Sequence, residues 1–203
     1  MNQDLVRNST PGAKHRLVIL HGWGADANDL LPLGILIRQQ LKIPLELVSL
    51  HAPEPHPQGV GRQWYGLFPA DWEAVPGAIQ SLQIRLKALA TNEIPLEKTA
   101  ILGFSQGGAM SIGACCELPF AGIIGCSSYP HPDWEAPKQR PSVLLIHGRQ
   151  DNVVPYAASE KLLKELRIST SNVSLVGLDC DHTIPEESIP RIVQSLIDWF
   201  ELE

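Results

Sequence analysis

Short apolar runs alternate with longer stretches of helical periodicity along most of the chain. Six runs stand out, at residues 16–20, 45–50, 99–104, 122–126, 142–146 and 173–176. Each is continuous in apolar character rather than alternating. Gly, Pro or Ser stands at or within two residues of the end of each run. A strand covered on both faces has this pattern, because neither set of its alternating side chains meets water. Between the runs, apolar residues recur at helical spacing over 28–41, 76–91, 106–116, 156–166 and 185–200. The last has Ile189, Ile192, Val193, Leu196 and Ile197 on one stripe. Asp26 or Asn28 is the N-cap candidate for the first helix. Strands that alternate with helices of ten to sixteen residues imply a parallel sheet with right-handed crossovers. The expected organisation is one α/β domain over residues 1–203. Residues 1–14 fall outside the pattern as a flexible or peripheral segment.

One stretch breaks the alternation. Residues 52–76 are rich in Pro and Gly and contain Trp64, Tyr65, Phe68 and Trp72. A long ordered loop in a compact domain is usually functional, so Trp64 and Tyr65 are expected beside the substrate. The competing reading is a surface excursion covered by its own aromatics.

In an open parallel sheet the chemistry belongs beyond the carboxyl ends of the strands. The run 99–104 leads into Gly103-Phe104-Ser105-Gln106-Gly107-Gly108, with a helix immediately after it. Strand, sharp turn and helix form the setting in which G-x-S-x-G places a nucleophilic serine. The glycines have a steric purpose, since the turn closes only if the flanking residues carry almost no side chain. A serine hydroxyl needs a base, and in this architecture the chain order is Ser, then Asp or Glu, then His. Of seven histidines, four precede Ser105. His131 lies in a Pro-rich loop, and His147 at a strand end suits a packed, hydrogen-bonded role. His182, between the last strand and the last helix, is the expected base. Asp151, in the loop after the strand 142–146, is the expected acid; Asp179 and Asp181 are its rivals. Attack on an acyl carbon creates an oxyanion, which needs two preplaced donors. The backbone N–H groups of Gln106 and of Trp23, in His21-Gly22-Trp23-Gly24, are the candidates. Trp23 and Val153 join Trp64 and Tyr65 as expected substrate contacts.

Composition narrows the class. Sixteen Lys and Arg against 22 Asp and Glu give a formal charge of −6, which disfavours nucleic acid and anionic membranes as partners. No apolar run is long enough to span a bilayer. The first residues carry no secretory h-region, and the four cysteines lack metal or redox spacing. Reduced thiols and a cytoplasmic location are the expectation, with a monomer or a homodimer equally open.

Four segments together resemble the phospholipase/carboxylesterase family of α/β-hydrolases: Leu20-His21-Gly22-Trp23-Gly24, Gly103 to Met110, His147 to Pro155, and Asp181-His182. The resemblance spans residues 16–200. It implies the α/β-hydrolase fold with a mostly parallel central sheet, helices on both faces and no large cap domain. It also implies an esterase or thioesterase with triad Ser105, Asp151 and His182, needing no cofactor and acting on a small-molecule ester or thioester. A ligand-binding protein that retains the fold with a silent triad is the competing class.

Overall fold

The computed structural model describes residues 4–168 and 172–202. Among the described residues, nine strands and five α-helices follow one another as β1 (Leu5–Asn8), β2 (His15–Leu20), α1 (Leu31–Leu41), β3 (Leu45–Leu50), β4 (Glu54–Pro55), β5 (Arg62–Gln63), α2 (Val75–Lys87), β6 (Thr99–Phe104), α3 (Gln106–Cys115), β7 (Gly122–Cys126), β8 (Ser142–Gly148), α4 (Ala157–Leu166), β9 (Val173–Leu178) and α5 (Ile189–Trp199). Seven strands form one sheet in the order β1-β3-β2-β6-β7-β8-β9, and only β1 is antiparallel to its neighbour.

The apolar runs are continuous because each strand feeds two cores. On β2, Val18 and Leu20 face one cluster with Val48, Leu50, Ile101 and Ile123, under α2, α3 and α4. Leu17 and Ile19 face the other, with Leu47, Leu102 and Ile124, under α1 and α5. Both sets are at most 1% exposed. The α/β-hydrolase architecture expected from the sequence is therefore present: a mostly parallel sheet with helices on both faces and, among the described residues, no large cap.

Two elements differ from the sequence reading. Residues 5–8 lie within the segment left outside the pattern, yet they pair with β3 at the sheet edge. Glu46 explains the attachment: it accepts from Arg7 Nη1 at 2.6 Å and from the buried Arg16 on β2. The first helix starts at Leu31, three residues later than expected, with Leu30 at the cap and no side-chain cap bond. The Asp26 carboxylate instead accepts from the backbone and side-chain nitrogens of Asn28 and closes a separate turn.

The strand order reverses between β2 and β6: from β2 the sheet grows outward to β3, and from β6 it grows the other way. The crevice at the carboxyl ends of these two strands is where an open α/β sheet binds ligands. Ser105 follows β6, and residues 21–24 follow β2.

Candidate active site

Ser105 has φ 54° and ψ −119°, a region that L-residues seldom enter. Its neighbours make the conformation affordable in space. A Cβ on Gly103 would lie 2.2 Å from the Gly107 carbonyl oxygen, and one on Gly107 would lie 2.4 Å from the carbonyl oxygens of Leu20 and His21. Any side chain at either position would force the turn apart. The Ser105 N–H donates to the Cys126 carbonyl at 2.9 Å, which ties the elbow to the next strand.

The sharp turn aims the hydroxyl at His182. Ser105 Oγ donates to His182 Nε2 at 3.0 Å, and His182 Nδ1 donates to Asp151 Oδ2 at 2.7 Å. The other Asp151 oxygen, Oδ1, accepts from the backbone N–H of Val153 at 2.9 Å and of Val154 at 2.8 Å. Burial alone would push the Asp151 carboxyl up. The hydrogen bonds from His182, Val154 and Val153 outweigh it and hold the group below the usual carboxylate range. An ionised Asp151 can only accept, so His182 carries its proton on Nδ1 and offers the Nε2 lone pair to the serine. Neither rival acid takes this position: Asp179 is exposed and stands 3.8 Å from Arg149.

The loops that carry the acid and the histidine are locked to each other. Gln150 N–H donates to the Cys180 carbonyl at 3.1 Å. A Cβ on Gly148 would lie 2.3 Å from the carbonyl oxygens of Cys180 and Asp181, so only glycine lets the histidine loop cross the end of β8. His147 has the packed role its position suggested: Nε2 donates to the Val154 carbonyl at 2.8 Å, and Nδ1 pairs with Ser159 Oγ at 2.7 Å. Phe104 packs on the His182 ring, with centroids 4.7 Å apart.

The loop after β2 lies against the elbow. A Cβ on Gly22 would be 3.5 Å from Ser105 Cβ, so this backbone runs directly past the serine. Among the described residues, no acceptor engages the backbone N–H of Trp23 or of Gln106. The loop is braced from behind. His21 Nε2 accepts from Ala52 N–H at 3.0 Å, Gly24 N–H donates to the Arg62 carbonyl at 2.9 Å, and Trp64 Nε1 donates to the His21 carbonyl at 2.9 Å. Burial lowers the pKa of His21, which keeps it neutral for this role.

A groove of about 390 Å³ opens beside Ser105 and His182, lined on its apolar walls by Trp23, Leu67, Phe68, Tyr129, Val153 and Val154 among others. Trp23 and Val153 were expected there. Trp64 and Tyr65 were expected there too, and the structure puts them elsewhere. They are 2% and 1% exposed and belong to the core under α2 and α3. Their backbones clasp the Gln106 side chain: Trp64 N–H donates to Oε1 at 3.0 Å, and Nε2 donates to the Tyr65 carbonyl at 2.8 Å. The two aromatics thus anchor the segment, and the next residues, Leu67 and Phe68, reach the groove. Tyr129 escaped the sequence reading altogether. Its signal was positional, because it stands three residues beyond the carboxyl end of β7.

The thiols take no part. Cys115, Cys116, Cys126 and Cys180 are free, and burial pushes Cys116 and Cys126 up to about 12. Among the described residues there is no cluster of His, Cys, Asp and Glu suited to a metal ion, and no helix is long and apolar enough to cross a membrane.

Comparison with known proteins agrees with this fold. The family model described as phospholipase/carboxylesterase matches residues 1–200. The chain is 28% identical over 189 residues to acyl-protein thioesterase 1 of Neurospora crassa, covering 78% of this chain and 74% of that one. It is also 28% identical over 198 residues to acyl-protein thioesterase 1 of Gibberella zeae, covering 82% and 80%. Among solved structures, esterase PE8 superposes with a TM-score of 0.82 at 27% identity, over 96% of this chain and 99% of that one. Acyl-protein thioesterase 2 of Zea mays shares the fold, with a TM-score of 0.76 at 19% identity over 97% and 98% of the two chains. The chain belongs to the phospholipase/carboxylesterase family and is a hydrolase of the carboxylesterase and thioesterase type.

Proposed function

We propose that the protein hydrolyses carboxylic esters or thioesters through an acyl-Ser105 intermediate. The observation that carries this is the unbroken hydrogen-bond chain from Ser105 Oγ through His182 to Asp151, with the serine on its strained elbow. His182 Nε2 takes the hydroxyl proton as Oγ attacks the acyl carbon. Asp151 stays ionised and stabilises the imidazolium that forms. The Trp23 and Gln106 N–H groups meet the developing oxyanion, each worth about 3–4 kcal/mol of barrier. The imidazolium then protonates the departing alcohol or thiol. Water repeats the sequence on the acyl-enzyme and releases the acid.

The groove beside Ser105 holds the acyl chain. Its volume is near the lower end for small-molecule sites, and its wall is mostly hydrocarbon. Short and medium acyl chains are therefore the substrate class, with Leu67, Phe68, Tyr129 and Val153 as their contacts. The test is a rate series over p-nitrophenyl esters from acetate to palmitate, with parallel labelling by a fluorophosphonate. Wild type labels and turns over the shorter esters, whereas Ser105→Ala does neither. Equal labelling of both proteins would overturn the proposal.

A further inference from the structure

A second cavity, of about 720 Å³, lies between α2, α3 and the loop that follows β7, and shares no lining residue with the groove at Ser105. Trp72 and Trp134 form part of its wall. Glu73, Glu117, Asp133 and Glu135 stand around it, all exposed, and among the described residues no Lys or Arg lines it.

Its floor contains an unused polar atom. His131 is 5% exposed, and its Nε2 pairs with Tyr65 Oη at 3.0 Å. Its Nδ1 has no hydrogen-bond partner among the described residues, although the ring lines the cavity. Gly113 of α3 keeps that nitrogen accessible, because a Cβ there would lie 3.1 Å from it. The side chain is buried as a whole, yet this ring nitrogen opens to the cavity and can bond a polar group from outside.

These features select one ligand chemistry. Indole faces attract a cation with an apolar shell, worth about 0.5–2 kcal/mol each. Carboxylates without a competing base add attraction that salt screens over about 10 Å at 0.1 M. A hydroxyl both donates and accepts, so it suits His131 Nδ1 in either tautomer. We propose that this cavity binds a small hydroxylated organic cation of the quaternary-ammonium kind, its charge against Trp72 and Trp134 and its hydroxyl on His131 Nδ1.

The cavity is also connected to the catalytic groove. Tyr65 Oη, bonded to His131 on one side, meets Tyr129 Oη at 2.8 Å on the other, and Tyr129 lines the groove. A ligand hydroxyl on His131 Nδ1 therefore extends a hydrogen-bond chain that runs from the cavity to the groove.

Choline is the probe, followed by tryptophan fluorescence and calorimetry at low salt, with 3,3-dimethyl-1-butanol as its uncharged isostere. Choline binds the wild-type protein, and the isostere binds at least about ten-fold more weakly. The shape-conserving variant Glu73→Gln/Glu117→Gln/Asp133→Asn/Glu135→Gln changes only exposed side chains and keeps the wild-type circular dichroism. It binds choline at least about ten-fold more weakly. Ser105→Ala binds choline as wild type does, which separates this site from the proposed hydrolytic one. Absence of choline binding to wild type, equal binding of the isostere, unchanged affinity in the four-fold variant, or loss of binding in Ser105→Ala would each overturn the proposal.

Discussion

The elbow at residues 103–108 and the aromatic segment at 52–76 both border the site, yet they carry information in opposite ways. At the elbow, residue type and role coincide. Gly103 and Gly107 are small because carbonyl oxygens occupy the space a side chain would need, and Ser105 is strained because the turn is sharp. In the aromatic segment, residue type misleads. Trp64 and Tyr65 are the residue types expected at a ligand, but they are buried pins. Phe68, four residues after Trp64, is 72% exposed and lines the groove. An aromatic ring supplies contact area wherever it is placed, so its type does not say which side of the backbone it serves.

Four changes test this contrast, in descending order of expected effect. Ser105→Ala lowers kcat by about 10³–10⁶, measured on p-nitrophenyl acetate, with stability close to wild type. Trp64→Ala destabilises the fold by about 3–5 kcal/mol in urea unfolding, because it removes a buried indole and strands the His21 carbonyl it caps. If Trp64 were a substrate contact instead, KM would rise and stability would hold.

The third test uses acid. Burial pushes the His131 ring down to about 4, below the ordinary histidine value of about 6.5. Between those two values the unfolded chain binds more protons than the folded one, so stability falls as pH drops through that window. The loss is on the order of 3 kcal/mol, and His131→Asn removes it from urea curves taken between pH 7.5 and pH 4. Wild-type and variant curves that run parallel across this window would show that the ring is not buried neutral. The smallest effect belongs to Phe68→Ala. Stability changes by less than about 0.5 kcal/mol, and KM for the longer accepted esters rises by about three- to ten-fold.

The strands and helices were legible because their signals are local. A continuous apolar run needs only its own residues to report that both faces are covered, and an elbow needs only its two glycines and the helix that follows. The order of Ser105, Asp151 and His182 was legible for a related reason. Each stands directly beyond a strand end, and in a parallel sheet all those ends lie on one edge. The strand β1 was not legible, because its attachment depends on Glu46, 39 residues away, accepting from Arg7. The start of α1 was misread because Asp26 has the residue type of a helix cap and spends its carboxylate on a turn.

The sequence by itself determined the architecture and singled out Ser105, Asp151 and His182 as the candidates at the strand ends, since periodicity, glycine sterics and strand-end position are properties of neighbouring residues. The tertiary structure decided which aromatics face the groove and which are locked behind it. It also joined Tyr65 to Tyr129 and His131, 64 and 66 residues along the chain. Those contacts form only when the segment 52–76 folds back over α3. Their geometry is set by packing and by the clasp on Gln106, which no local pattern encodes.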